Sequence, residues 1–274
     1  MPEEKYSRLV KVELQQRLDI ISRWNIEPGS RVLEIGCGQG DSTVILADLV
    51  GENGHVTGID PAPLDYGSPF TLGQVHANLK ASPLGSRISF HQATLQEFLD
   101  SNPDAQFDYA IFMHCLWYFE STDSLRPMLT SLRGRARELL IAEFSLNVRG
   151  DMTTLPHLLA ALSQAEMSSR VARGIQESNT LSLYSPRSIK KAASQAGWRA
   201  QRESYVDNHP DALDGKRDVD DVLSEEWRMA IAIEPDEGRR RLAEVMVESV
   251  QTAVDSLGFG EKVRTMSSWL GSFA

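Results

Sequence analysis

Residues 31–60 read as a short strand (RVLEI), a glycine-rich turn (GCGQGD), an apolar helix and a second strand (HVTGID). Two strands joined through a helix lie parallel in one sheet, and the crossover is right-handed almost without exception. Such a unit commits the chain to a mainly parallel sheet with helices on its faces. The alternation continues. Arg87–Gln92 (RISFHQ), Phe107–Met113 (FDYAIFM) and Glu138–Ser145 (ELLIAEFS) are predicted strands, with helices predicted at 3–24, 41–49, 71–81 and 122–133. Ser185-Pro186 is a helix start that Gly197 stops. Trp198–Val206 reads as a sixth strand, and the C-terminal VRTMSSWLGSF as the last. The expected fold is α/β and doubly wound, one domain over 1–274.

Two stretches exceed what a sheet and its crossovers need, 146–185 and 209–258. Met152, Leu155, Leu158, Leu159 and Leu162 form an apolar stripe in the first. Leu242, Val245, Met246, Val250, Ala253, Val254 and Leu257 form the predicted inner face of the last helix in the second. These helical insertions fit a substrate lid or a surface between two copies in a homodimer.

The turn itself decides what the first unit holds. A dinucleotide site wants Gly-x-Gly-x-x-Gly, with the helix N-terminus facing a pyrophosphate. Here Gly36 and Gly38 match, but the last place is taken by Asp41. The pattern present is Glu34-x-Gly36-x-Gly38-x-Gly40, with acids on both sides. Carboxylates there oppose a pyrophosphate and tolerate a cationic ligand, so a nicotinamide-dependent oxidoreductase is disfavoured. Asp60, at the tip of the second strand, is placed to accept hydrogen bonds from both hydroxyls of a ribose.

These segments resemble the class I, Rossmann-like S-adenosylmethionine-dependent methyltransferases. VLEIGCGQGD is similar to that family's glycine-rich motif and GIDP to its acidic ribose motif. FDYAIFMHCLWYF is similar to the fourth-strand motif, and SPRSIKKAASQAGW to the helix before the sixth strand. The resemblance covers about 28–145, the cofactor-binding core, and again 185–206. It implies a seven-stranded sheet whose last strand, at about 262–270, runs antiparallel beside the fifth. It also implies S-adenosyl-L-methionine as cofactor. Carried over by position, Glu34, Gly36, Cys37, Gly38 and Gly40 would hold the methionine portion, and Asp60 with Pro61 the ribose. Ala93 and Thr94 would flank the adenine, and the backbone of Met113 and His114 would meet the methionine amino group. The third-strand motif here, His91-Gln92-Ala93-Thr94, lacks the Asp that many relatives place near the adenine.

Methyl transfer from a sulfonium is an in-line displacement, so the protein has mainly to align the acceptor and exclude water. An acceptor hydroxyl also needs a base. Open α/β sheets bind ligands beyond the carboxyl ends of their strands. His114 at the tip of strand four is the first candidate base; His157 on the following helical stretch and Glu143 near the end of strand five are others, with Tyr184 behind them. Trp117 and Tyr118 are candidate substrate-binding residues. The alternative for each is ordinary packing.

A formal net charge of −10, with no basic cluster longer than Arg239–Arg241, disfavours nucleic acid as partner. The fourth strand lacks an Asn-Pro-Pro-Tyr signature, which further disfavours a protein or nucleic-acid methyltransferase. No apolar run reaches the roughly 20 residues of a membrane span. The charged N-terminal segment and only two cysteines, Cys37 and Cys115, point to a cytoplasmic protein. Both thiols read as buried and unreactive, and two cysteines cannot complete a zinc shell, so no metal is expected. The reading is methyl transfer to a small molecule. Its competitor is a relative that binds the cofactor without methylating.

Overall fold

The computed structural model describes residues 3–119, 121–169 and 180–274. Seven strands form one sheet in the order β3-β2-β1-β4-β5-β7-β6. They are β1 (Arg31–Ile35), β2 (His55–Asp60), β3 (Ile88–Gln92), β4 (Phe107–Met113), β5 (Ala136–Phe144), β6 (Ala200–Val206) and β7 (Ser268–Phe273). The first five are parallel to one another. β7 inserts antiparallel between β5 and β6, with Ile141 opposite Gly271 and Ser204 opposite Leu270. The final strand starts later than expected: 262–267 carries no ladder, and pairing begins only where Ser268 meets Phe144 and Val206.

The helices are α1 (Glu3–Ile21), α2 (Asp41–Val50), α3 (Leu72–Ala81), α4 (Leu95–Ser101), α5 (Leu125–Ser131), α6 (Leu155–Ser168), α7 (Pro186–Gln195), α8 (Asp214–Val222), α9 (Glu225–Ala232) and α10 (Glu237–Asp255). Ile20 and Ile21 of α1 join Leu46, Ala47 and Val50 of α2 on one face of the sheet. On the other face Phe98 and Leu99 of α4, Leu129 of α5 and Ile189 of α7 pack with Leu33, Phe112 and Ile141. Burial on both faces explains why the central strands are nearly unbroken apolar runs. α4 is an addition to the sequence expectations; it opens on a capping box in which Thr94 and Glu97 satisfy each other's backbone N–H.

The two insertions form a separate layer. Ala160 and Met167 of α6, Val219 and Val222 of α8, Trp227 and Ile231 of α9, and Ala243 and Val250 of α10 share one apolar cluster. Both predicted stripes are corrected here. On α6 the buried side is His157, Ala160, Ala161, Gln164 and Met167, while Met152 precedes the helix and, like Leu162, is exposed. On α10 the inner stripe is Ala243, Val247, Val250 and Val254, leaving Leu242 half exposed. On α6 Leu159 still packs against this cluster and Leu158 against a neighbouring one, so of the stripe predicted there only Met152 and Leu162 are exposed. Residues 170–179 of the first insertion, and the Leu9 side chain of α1, lie outside the described residues. No helix among the described residues is long and apolar enough to cross a membrane.

Candidate active site

The strand order reverses between β1 and β4, and a crevice opens beyond the carboxyl ends at such a switch. The loop after β1 is shaped there by backbone bonds. The N–H groups of Gly36 and Cys37 both donate to the Ile59 carbonyl, at 2.9 and 3.1 Å, and Gly40 N–H donates to Cys37 O at 2.9 Å. Gly36 has φ +72°, and a Cβ there would stand 2.6 Å from Cys115 Cβ; only glycine lets the β1 and β4 loops touch. Gly38 differs. Its φ is +51°, yet a Cβ would meet nothing within 4 Å, so that side of the loop is open space.

Asp60 ties the loop to β2. Its Oδ2 accepts from Gly38 N–H and its Oδ1 from Ala62 N–H, each at 2.9 Å. An ionised carboxylate has about four acceptor positions, so two remain. His76 of α3, a residue the sequence reading passed over, hydrogen bonds to Gly38 O at 2.7 Å and stacks on Phe90 with ring centroids 3.8 Å apart. Gln39 Nε2 donates to Phe70 O at 2.9 Å, binding the glycine loop to the exposed 61–71 segment, where Pro61 lies open to solvent.

Glu34 does not face the crevice. It is buried, and Thr43 Oγ1 donates to it at 2.5 Å. Burial pushes its carboxyl up to about 7, against the pull of the Thr43 and Ser42 hydroxyls. Its work is to fix the first turn of α2 from beneath. The Thr94 hydroxyl is likewise committed to the α4 cap, and Ala93 N–H donates to Asp60 O at 3.1 Å. The Thr94 N–H is committed to Glu97 as well, so of the pair expected at the adenine the Ala93 methyl group is what remains to pack against a ring. Met113 accepts from Ser42 Oγ at its sulfur, 3.1 Å away. Burial pushes both thiols up, and Cys115 Sγ donates to Ile35 O at 3.2 Å; they are unreactive packing groups.

Beyond β4 and β5 stands an imidazole–carboxylate pair. His114 has φ +49°, uncommon for a residue with a side chain. Its Nδ1 is 3.7 Å from Glu143 Oε1, and the two side chains are only 4% and 1% exposed. Glu143 accepts from Phe144 N–H at 2.9 Å and from Leu116 N–H at 3.0 Å. Burial still pushes its carboxyl up to about 7, and burial also holds the His114 imidazole well below its usual range. A hydrogen-bond chain fixes the imidazole tautomer. Asn208 donates through Nδ2 to Met266 O, so its Oδ1 accepts, and it accepts from Ser268 Oγ at 3.0 Å. Ser268 has then spent its proton, so its contact with His114 Nε2 at 3.1 Å is received from Nε2–H. Nδ1 is left as a bare lone pair without a hydrogen-bond partner, turned toward Glu143.

Three comparisons bear on this arrangement. A family model described as a methyltransferase domain matches residues 32–135. Methyltransferase phomM of Diaporthe leptostromiformis is 29% identical, over 85% of this chain and 75% of that protein. A cyclopropane-fatty-acyl-phospholipid synthase-like protein from Lactobacillus casei superimposes with a TM-score of 0.83 at 28% identity, covering 97% of this chain and 92% of that one. Geranyl diphosphate C-methyltransferase from Streptomyces coelicolor, solved with S-adenosyl-L-homocysteine, shares the fold at 13% identity and a TM-score of 0.54, over 98% and 81%. Residues 32–135 carry a methyltransferase domain, on the fold of the class I S-adenosylmethionine-dependent methyltransferases.

As a methyltransferase it uses S-adenosylmethionine, and its crevice fits that cofactor. Gly38 leaves open space beside the loop, and Asp60 keeps acceptor capacity for a ribose. On the acceptor side the structure revises three expectations. Both ring nitrogens of His157 are used: Nδ1 accepts from Met266 N–H at 2.9 Å and Nε2 contacts Asp218 Oδ2 at 3.2 Å. Fully buried, it pins α6 to α8 and to the segment before β7, and is no free base. Trp117 is 4% exposed, packed 5.0 Å from Phe144 between ring centroids, as core and not as an open wall. Tyr184 is buried, donating its hydroxyl proton to Ser121 O at 2.7 Å. Tyr118 is 55% exposed.

Ser268 and Asn208 were missed because nothing local marks them; they reach His114 from 154 and 94 positions away in sequence. The capping pattern Thr94-x-x-Glu97, by contrast, was there to be read.

Proposed function

We propose that this methyltransferase alkylates a small-molecule acceptor bound over the tips of β4 and β5, by in-line displacement. The observation that carries this is the sealed His114–Glu143 pair, with its one unpartnered nitrogen, directly beyond the strand whose end carries Met113. S-adenosylmethionine supplies an electrophilic methyl group on a good leaving group. The residues of this chain do the rest. The Gly36–Gly40 loop and Asp60 orient the donor, with Met113 and the His114 backbone on its methionine side. His114 Nδ1 takes the proton that a hydroxyl or N–H acceptor releases, and the nearby Glu143 carboxylate stabilises the resulting imidazolium. Tyr118, exposed on the turn after β4, meets the incoming acceptor.

The layer of α6 and α8–α10 supports a compact acceptor, because it shares one apolar cluster and is pinned by the His157–Asp218 contact. It suits enclosure better than an open track for a polymer, and a net charge of −10 disfavours a phosphate backbone as substrate. Candidate acceptors screened with labelled methyl donor test the reading. Transfer to a small molecule that His114→Gln slows at least tenfold, with cofactor affinity kept, is the expected result. Transfer confined to protein or nucleic acid would overturn it.

A further inference from the structure

The loops that follow β5 and β6 and the segment that precedes β7 enclose a cavity of about 150 Å³, away from the glycine loop. All three lie at the carboxyl end of the parallel strands, because β7 runs antiparallel to both β5 and β6. Pockets that take a whole drug-sized molecule run to roughly 300–1,000 Å³. This one has room for a single polar group or a small acid.

The hydroxyl protons of its wall are already spent. Thr154 Oγ1 donates to Asp151 O at 2.8 Å, and Thr265 Oγ1 to Ala212 O at 3.2 Å. Ser145 Oγ donates to Asn147 O at 3.1 Å, so Ser267 Oγ is the donor in its own 3.1 Å contact with Ser145 Oγ. The side-chain donors that remain are guanidinium groups. Arg264 gives Nη1 to Asp151 Oδ2 at 3.0 Å and Nη2 to Asn208 O at 3.3 Å. Its Nε–H is buried and has no hydrogen-bond partner among the described residues. A buried donor in that state costs free energy that an acceptor atom on a ligand recovers.

Arg149 brings a second guanidinium to the cavity. Its Cζ stands 3.8 Å from the centroid of the Tyr205 ring, a contact that fixes the group while leaving its N–H fork for an anion. The turn that carries it is strained: Leu146 and Arg149 have φ +49° and +48°, followed by Gly150 at +87°. Left-handed backbone at residues with side chains clusters at binding sites. Of the two acids that line the cavity, Asp151 is already bound to Arg264 and to the N–H and hydroxyl of Thr153. Asp207 is exposed.

We propose that this cavity binds a carboxylate, received by Arg264 Nε–H and by the guanidinium of Arg149. Asn208 joins it to the imidazole beyond β4. Its main-chain oxygen holds Arg264, while its side chain holds Ser268, which meets His114 Nε2. The carboxylate belongs either to the methyl acceptor or to a separate small acid. That choice rests on the acceptor reading of His114, whereas the binding claim does not.

The test is an NMR titration of the full chain that follows the Arg264 Nε–H signal, assigned by its loss in Arg264→Lys. The probes are acetate, acetamide and methylammonium. Acetate is expected to shift the signal saturably at millimolar concentrations, while acetamide and methylammonium leave it in place. Arg149→Gln, a change at an exposed side chain, should weaken acetate about tenfold, as for one charge-assisted hydrogen bond. No saturable shift, an equal shift with acetamide, a response to methylammonium instead, or an acetate affinity untouched by Arg149→Gln would each overturn the proposal. Turnover tells the two sources apart. An acceptor's own carboxylate makes acetate compete with the acceptor and lets Arg149→Gln raise its KM, whereas a separate acid alters kcat without competing. Inactivity toward every acceptor would strike the transfer reading and leave the titration to decide the cavity.

Discussion

The two halves of the crevice are built differently. Around β1 and β2 the groups we propose to face the cofactor are held by neighbours in sequence or by backbone: Gly38 N–H on Asp60, Ala62 N–H on Asp60, Gly40 N–H on Cys37 O. Around β4 and β5 the candidate base is held by side chains distant in sequence. Ser268 and Asn208 orient His114, although its partner Glu143 rests on the backbone N–H groups of Leu116 and Phe144. The lesson is about where specificity is stored. On our proposal cofactor binding is written into one short turn. Acceptor chemistry, on the same proposal, is assembled only when β7 inserts beside β5.

Substitutions that separate the halves sharpen this contrast, and the largest effect belongs to the glycine turn. Gly36→Ala forces a Cβ to 2.6 Å from Cys115 at a positive φ, and is expected to cost about 2–4 kcal/mol in thermal or denaturant unfolding. Gly38→Ala meets open space, so its stability cost should stay near 1 kcal/mol while affinity for S-adenosylhomocysteine falls. Equal stability losses at the two positions would break the view that one glycine serves packing and the other the ligand.

His157→Ala comes next on the acceptor side. Losing a buried group with two partners is expected to destabilise by about 2–3 kcal/mol, whereas His114→Gln should leave melting little changed and act on turnover. The reverse pattern would exchange the roles given to these histidines.

A smaller effect concerns pH. Burial raises the Glu143 carboxyl to about 7, above its unfolded value. The stability this contributes is full below the unfolded value near 4.5 and is lost as pH rises through about 7. Relative to Glu143→Gln, the wild type should therefore lose on the order of 1–3 kcal/mol between pH 5 and pH 8. His114, held low by burial, works in the opposite direction: its contribution is present above 6.5 and lost on acidification. Melting curves of the two proteins at both pH values check the sign. A gap that does not change with pH would show that Glu143 is not buried as described. Last in size, Tyr118→Ala on the exposed rim should raise the acceptor KM a few-fold without touching cofactor affinity.

The contrast also explains what could be read in the sequence. Strands β1 to β5, α2, α3 and α7 were legible because apolar runs, glycines and the Ser185-Pro186 start are local signals. α4 was passed over since its seven residues hold too little periodicity, though Thr94 and Glu97 announced a cap. Glu34 and Asp60 look alike as strand-end acids, and only the fold shows one turned inward to Thr43 and the other outward over the loop. The apolar stripes on α6 and α10 were partly misplaced for a related reason. Leu158, Leu159, Val250, Ala253 and Val254 of those stripes do pack inward, but small residues, Ala160 and Ala243, are buried where hydrophobicity suggested Leu162 and Leu242. The orienting groups of His114 lay beyond any local reading.

The central claim is that Asp60 and the glycine turn bind S-adenosylmethionine, and titration with S-adenosylhomocysteine tests it most directly. Wild-type protein should bind at micromolar levels, and Asp60→Ala should lose on the order of 100-fold or more, as for two hydrogen bonds to a charged group. Binding that survives the substitution unchanged would contradict the account.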